Sequence, residues 1–306
     1  MKLLVRAMTW EADGVLSVVL TEPDGVPLPA WEPGAHLDLD LGDGLVRQYS
    51  LCGDPGDWTR YEVAVLREER SRGGSRYVHE TLRPGQLVEV RGPRNHFRLE
   101  DAERYVFIAG GIGITPILPM LAAVADSGQP YRLHYGGRRR AGMAFTGALA
   151  EYGDAVHLAP QDEVGLLDLD TALGDAGPGT LVYCCGPAPL IDAVVERCPP
   201  ELLRVERFAA PEREPLPAGA VEVELARSGR TVLVPPDRSI LQVLLDEGVE
   251  VANDCRDGIC GSCETKVIAG EVDHRDHVLT DRERREGATM MVCVSRACGG
   301  RLVLDR

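Results

Sequence analysis

The chain has 306 residues, 44% of them apolar, which is enough for packed cores and excludes a globally disordered protein. Its formal net charge is −15, which argues against a nucleic-acid partner, since that would need a basic face. Such an acidic balance fits docking onto a basic protein surface, and equally the plain solubility of many acidic proteins.

The longest apolar stretches, such as Tyr105–Ile114, fall far short of the roughly 20 residues a membrane span requires. Met1–Met8 lacks the apolar centre of a signal peptide and meets Glu11 soon after, so a cytoplasmic location is expected. Nine cysteines in a reducing compartment point to metal ligands or buried thiols, not to a disulfide framework.

In chain order, residues 1–98 carry short alternating strands at Val15–Leu20, His36–Leu41, Arg47–Leu51, Tyr61–Leu66 and Leu87–Arg91. Turn residues such as Pro33-Gly34 and Pro84-Gly85 punctuate them. This pattern predicts a small antiparallel barrel, interrupted by one helix at Ser75–Leu82. The run Ser71-Arg72-Gly73-Gly74-Ser75 opens that helix with free amides and a hydroxyl. It suits a phosphate, or an ordinary helix cap. Arg47 could add charge to the same phosphate, and Tyr49 could pack on an aromatic ring.

Residues 99–209 alternate strands and helices. Strands are predicted at Arg104–Ala109, Tyr131–Tyr135, Ala155–Leu158 and Leu181–Cys185, with helices to Asp126 and over Leu190–Arg197. Such alternation implies a parallel sheet covered on both faces. The turn Gly110-Gly111-Ile112-Gly113-Ile114-Thr115-Pro116 follows the first strand, where a dinucleotide pyrophosphate sits in such sheets. It departs from G-x-G-x-x-G, and a Gly-rich turn alone is weak support. Arg138, Arg139 and Arg140 follow the second strand and face either a cofactor's adenosine end or solvent. Cys185-Gly186-Pro187 makes a sharp exit from the fourth, with Cys185 directed into the crevice. Residues 210–219, Pro-rich, read as a semi-rigid linker.

Residues 220–306 hold the most specific signal. Cys255, Cys260 and Cys263 are spaced C-x4-C-x2-C, and Cys293 lies in an apolar strand-like stretch, Met290–Val294. This is the spacing of a plant-type [2Fe–2S] cluster. Thiolates gather negative charge, so backbone amides must turn toward the sulfurs, and Gly258 and Gly261 permit the tight positive-φ turns. A zinc site is the alternative, but zinc more often takes paired C-x2-C knuckles. A hairpin, Val221–Leu225 with Thr231–Val234, a helix over Ser239–Glu247 with Asp237 as N-cap, and strands at Lys266–Ile268 and Arg301–Leu304 complete a small α+β domain of ferredoxin-like, β-grasp type. Cys298 reads as an incidental thiol.

Arg47-x-Tyr49-Ser50-Leu51, Gly73-Gly74-Ser75, Gly110–Pro116, Cys185-Gly186-Pro187 and the four spaced cysteines, in this order, resemble the phthalate dioxygenase reductase family, which includes vanillate O-demethylase reductases and belongs to the ferredoxin–NADP reductase superfamily. The resemblance covers essentially the whole chain. It implies FMN, a nicotinamide cofactor and a [2Fe–2S] cluster in three domains, and a monomer that passes electrons from NADH to a terminal oxygenase. By that resemblance Arg47, Tyr49, Ser50, Ala64, Val65, Leu66, Gly73, Gly74 and Ser75 would hold FMN, and Phe208 would cover its nicotinamide-facing side. An ordinary core role for Phe208 is the alternative. Leu66 stands where some relatives carry Lys. Gly110, Gly111, Gly113, Thr115, Arg138, Arg139, Cys185, Gly186 and Pro187 would meet the nicotinamide nucleotide, with Thr115, Cys185 and Phe208 nearest the reacting atoms. A Rieske oxygenase is the favoured partner. NADPH use with a cytochrome P450 is one alternative, and a redox-sensing subunit without turnover is another.

Overall fold

The computed structural model describes residues 1–306 except 43, 70, 175 and 210–218, and of residue 281 the backbone alone. The expected linker therefore lies almost wholly outside the described residues. The chain forms two compact units, Met1–Arg207 and Phe208–Arg306.

In the first unit, β1 (Lys2–Ala12), β2 (Val15–Thr21), β3 (Ala35–Asp40), β4 (Val46–Ser50), β5 (Arg60–Leu66) and β6 (Leu87–Asn95) form an antiparallel sheet in the order β4-β3-β6-β1-β2-β5. A bridge between Leu51 and Val63 joins the two ends and closes the barrel. Period-two alternation fills it: Leu3, Val5, Val18, Leu20, Leu37, Leu39, Val63 and Val65 share one core. The sequence reading had no counterpart to β1. Its charges at Lys2, Arg6 and Glu11 mask the inward pair Leu3 and Val5, both essentially inaccessible to solvent. Helix α1 (Gly74–Glu80) caps one flank.

Beyond residue 103, β7 (Arg104–Gly110), β8 (Tyr131–Gly137), β9 (Val156–Pro160), β10 (Thr180–Cys185) and β11 (Leu203–Glu206) form a parallel sheet in the order β11-β10-β7-β8-β9. Edge strand β11 was not anticipated, because four half-buried residues alternating apolar and charged carry little signal. Helix α2 (Ile114–Ser127) follows β7 and stops at Gly128, whose φ of 76° ends it in the left-handed region. Short helical turns α3 (Thr146–Leu149), α4 (Gln161–Val164) and α5 (Leu169–Leu173) precede β10, and α6 (Ala188–Val195) follows it. The two faces of the sheet bury separate clusters, one centred on Phe107, Tyr135 and Tyr183, the other on Ile108, Val182 and Cys184.

In the second unit, β12 (Val221–Leu225), β13 (Arg230–Val234), α7 (Ile240–Asp246), β14 (Glu264–Ala269), β15 (Val272–Asp273), α8 (Asp281–Glu286), β16 (Thr289–Met291), β17 (Arg296–Ala297) and β18 (Arg301–Leu304) follow in turn. The sheet order is β13-β12-β18-β14-β16, with β12 and β18 parallel and the other pairs antiparallel. β15 pairs with β17. Helix α7 packs Ile240, Leu241, Val243 and Leu244 into this core.

Two local expectations are corrected. The N-cap of α7 is Ser239, not Asp237. Its hydroxyl accepts from the Gln242 amide at 3.1 Å while Gln242 Oε1 accepts from the Ser239 amide at 2.9 Å. The helix begins at Ile240, which leaves Asp237 too far upstream to cap it. Cys293 lies outside any strand: β16 ends at Met291, and the amides of Val294 and Ser295 donate back to the Met291 carbonyl, which wraps Cys293 in a turn.

Replacing Ser239 with Ala removes the reciprocal cap and is expected to cost the second unit about 1 kcal/mol. Urea unfolding followed by far-ultraviolet circular dichroism, comparing S239A with the parent, measures it.

Candidate functional site

The chemistry-bearing residues of the first unit gather at the carboxyl ends of β10 and β11 and beside barrel strand β4. Ser50, the last residue of β4, donates from Oγ to Glu206 Oε2 at 3.3 Å. Cys185, the last residue of β10 and fully buried, places Sγ 3.9 Å from the same oxygen. Burial pushes the Glu206 carboxyl up to about 8, against the lowering effect of its bonds to Ser50 and Cys185. Burial also raises the Cys185 thiol well above its ordinary range, with the neighbouring Glu206 adding to it. A carboxyl, a hydroxyl and a thiol thus meet in a low-dielectric pocket, where the carboxyl holds a proton near neutral pH.

Glu206 was missed in the sequence. Its only signal is an acidic residue ending the alternating stretch Leu203-Arg204-Val205, and strand β11 had itself gone unassigned.

Arg47 and the Gly73-Gly74-Ser75 turn come together. Arg47 Nη2 donates to the Arg72 carbonyl at 2.5 Å, and a Cβ on Gly74 would overlap the Arg47 side chain. Gly73, at φ 97°, is the N-cap of α1 and provides no side-chain cap for its amides. Ser75 Oγ donates to Ser71 Oγ at 3.0 Å and accepts from the Glu68 amide at 3.1 Å. Tyr49 packs against the barrel core, and burial raises its phenol. Along β5, Val65 points into the barrel, while Ala64 and Leu66 point outward into a cluster with Ala144, Phe145 and Ile112.

The glycines after β7 have two uses. A Cβ on Gly113 would overlap the Cys185 carbonyl, and one on Gly110 would crowd Leu190 and Pro187 at 2.6 and 2.7 Å. Gly186 in turn lies 3.0 Å from the Gly110 backbone by the same measure. Gly110, Gly113 and Gly186 therefore let the β7 and β10 turns touch. Gly111, at φ 54°, faces open space and presents its backbone there. Thr115 is buried, with its hydroxyl donating to the Ile112 carbonyl at 2.9 Å, which shapes the same turn. Pro187 is the exposed N-cap of α6. Arg138 and Arg139 are exposed after β8, while Arg140 forms a two-pronged ion pair with Glu163 of α4, both contacts 2.7 Å. Phe208, an exposed residue, falls in the second unit.

In the second unit the four predicted cysteines pair two and two. Cys255 lies beside Cys260, and Cys293 beside Cys263. Hydrogen bonding within each pair lowers one thiol, Cys260 or Cys263, and raises the other, Cys255 or Cys293. Among the described residues no three His, Cys, Asp or Glu groups converge as a single ion would need. Two pairs suit a two-iron group, in which each iron takes two protein ligands.

Backbone amides turn toward these sulfurs. Asp257 N–H donates to Cys255 Sγ at 3.2 Å, and the Gly258 amide donates to Cys293. Ser262, not singled out from the sequence, lies with Oγ 3.0 Å from Cys260 Sγ and accepts from the Asp254 amide at 3.0 Å. Gly258 and Gly261 adopt φ of 68° and 72°. At Gly258 a Cβ would lie 2.6 Å from a Val294 methyl, so the loop has no room for a side chain there. The residues present therefore fit a [2Fe–2S] group: four thiols, buried or nearly so, with amide donors and a glycine-only loop. Cys298 is exposed and is not among these pairs.

Comparison with known proteins agrees with this geometry. Residues 223–298 match a family described as a 2Fe-2S iron-sulfur cluster binding domain. The chain is 45% identical to phenoxybenzoate dioxygenase subunit beta of Ectopseudomonas oleovorans, over 99% of this chain and 96% of that protein. Its fold matches phthalate dioxygenase reductase, a structure described as modular for electron transfer from pyridine nucleotides to [2Fe–2S], with TM-score 0.72, 38% identity, and 100% and 98% of the two chains covered. It also matches an intact type IV self-sufficient cytochrome P450 monooxygenase, with TM-score 0.95 and 46% identity. The chain spans about two fifths (41%) of that longer enzyme while being covered in full.

Two outcomes are expected. Cys293→Ser should abolish the cluster's visible absorption while the far-ultraviolet spectrum keeps its strand content. Retained absorption would mean another fourth ligand. Glu206 should make stability fall as pH rises. Between the ordinary carboxyl range, about 4.3, and about 8, the unfolded chain loses this proton and the folded one keeps it. Glu206→Gln lacks this linkage, so its melting temperature should gain on the parent from pH 5 to pH 8 and no further above.

Proposed function

This chain belongs to the phthalate dioxygenase reductase family of oxygenase-system reductases, and on that premise we propose that it draws electrons from NADH through FMN to its [2Fe–2S] cluster and on to a separate terminal oxygenase of the Rieske type. When bound, the nicotinamide supplies a hydride, the flavin splits its two electrons into single ones, and the cluster carries them out one at a time. The observation that carries this proposal is the pairing, in one chain, of the Ser50–Glu206–Cys185 constellation with a four-thiol set of plant-type spacing.

The chain's own residues bind, orient and hold protons. Arg47, Gly73, Gly74 and Ser75 offer a cation, helix-start amides and a glycine-only approach to the FMN phosphate. Tyr49, Ser50 and the strand Ala64-Val65-Leu66 border the ring. Gly110, Gly111 and Gly113, shaped by Thr115, take the nucleotide's phosphates, with Cys185, Gly186 and Pro187 beside the nicotinamide. The Glu206 carboxyl keeps its own proton near neutral pH, beside Ser50 and Cys185. The functional segments are 1–98 for FMN, 99–209 for the nucleotide and 220–306 for the cluster, joined through 210–219. A monomer in the cytoplasm, where thiols stay reduced, suits this set.

NADH is the donor of choice: Arg140 is held by Glu163, which leaves the exposed Arg138 and Arg139 as the arginines that favour the NADPH alternative. A cytochrome P450 partner is the second choice, favoured by the full-length likeness to part of a self-sufficient P450 monooxygenase. Steady-state reduction of a one-electron acceptor should give a kcat/KM about tenfold or more higher with NADH than NADPH. Glu163→Gln should narrow the gap. A strong NADPH preference contradicts the cofactor choice. Anaerobic mixing of the NADH-reduced protein with a purified Rieske oxygenase, and separately with a P450, discriminates the partners.

A further inference from the structure

Behind the three-cysteine loop lies a buried polar network that none of the assigned roles uses. At its centre is Asp276, 1% exposed. Its Oδ2 accepts from the amides of Val278 and Leu279 at 3.1 and 2.8 Å, which closes a tight turn over residues 276–279. Its Oδ1 accepts from Ser295 Oγ at 3.5 Å and lies 3.7 Å from His274 Nδ1. Arg284, from α8, donates to the Asp276 carbonyl at 2.5 Å, and its guanidinium lies 4.0 Å from the carboxylate.

This turn touches the thiol site at two points. The His277 amide, held in the turn, donates to the Gly258 carbonyl at 2.8 Å. A Cβ on Gly258 would sit 3.3 Å from Asp276 Cα, so the two backbones are in close contact. Gly258 in turn directs its amide at the Cys293 sulfur. On the other side Ser295, two residues past Cys293, accepts from the Arg275 amide at 3.2 Å and donates to Asp276. One carboxylate therefore joins the loop that carries three cysteines to the turn that carries the fourth.

We propose that Asp276 and Arg284 are a positioning pair for the cluster: they lock the Gly258 amide onto Cys293, and the Asp276 charge, fixed next to the loop, disfavours the added electron. The inference rests on the [2Fe–2S] assignment. Arg284 acts through Asp276, since it grips the carbonyl and partly balances the carboxylate. A negative charge fixed in a poorly solvated site beside a group that gains an electron raises the energy of the reduced state.

The test uses the full chain with its cluster. Asp276→Asn keeps an oxygen for the Val278 and Leu279 amides and removes the charge. At a fixed ambient potential set with a reference dye, its ratio of reduced to oxidised cluster, read by electron paramagnetic resonance, should exceed the parent's by about three- to tenfold. Arg284→Gln should shorten the cluster's half-life under an iron chelator by about the same factor, and Arg284→Lys should restore most of it. Either an unchanged ratio in Asp276→Asn or an unchanged half-life in Arg284→Gln overturns the proposal. Failure of the underlying assignment would look different: the parent protein itself would show no [2Fe–2S] signal.

Discussion

Four sulfurs crowded into one small volume cannot stay there without something to offset their charge. That constraint dictates the second unit. Thiolates need amide donors, and amides can turn inward only where the backbone takes unusual dihedrals, so glycine occupies positions 258 and 261. Cys255 lies beside Cys260, and Cys263 beside Cys293, so the four sulfurs come as two close pairs. The rest of the unit, from the capped helix α7 to the β14–β16 pair, fixes the ends of two segments so that the fourth sulfur arrives from a turn instead of a strand.

The first unit answers a different constraint with the same means. A parallel sheet leaves its binding crevice at the carboxyl ends of its strands. Here β10 ends on Cys185 and β11 on Glu206, and barrel strand β4 ends on Ser50, so three chain segments distant in sequence deliver three polar groups to one place. Removing that place from water is what raises the Glu206 carboxyl.

Much of this was legible in the sequence, for identifiable reasons. The C-x4-C-x2-C spacing is rigid chemistry, and the Gly-rich turn after Ala109 follows a strand whose apolar run admits no other assignment. Strand boundaries fell within a few residues where period-two alternation was clean, as at Val221–Leu225 and Arg301–Leu304. What escaped lacked a local signal. Strand β1 hides among charges, and β11 is a four-residue edge. Glu206 and Asp276 look like solvent-facing acids until distant segments cover them, because burial is decided by tertiary contacts that no short window records. Gly110 and Gly113 were legible as glycines, but their reason was not: they admit a neighbouring turn, and only Gly111 faces open space.

The central claim is that electrons from NADH reach the cluster through this chain alone. The direct measurement is anaerobic addition of NADH to the protein loaded with FMN and iron–sulfur, with freeze-quenched electron paramagnetic resonance alongside flavin absorbance. The account predicts that the signal of a reduced [2Fe–2S] cluster appears as the flavin bleaches, and that Cys293→Ser bleaches its flavin without that signal. A cluster reducible by dithionite but untouched by NADH would contradict it.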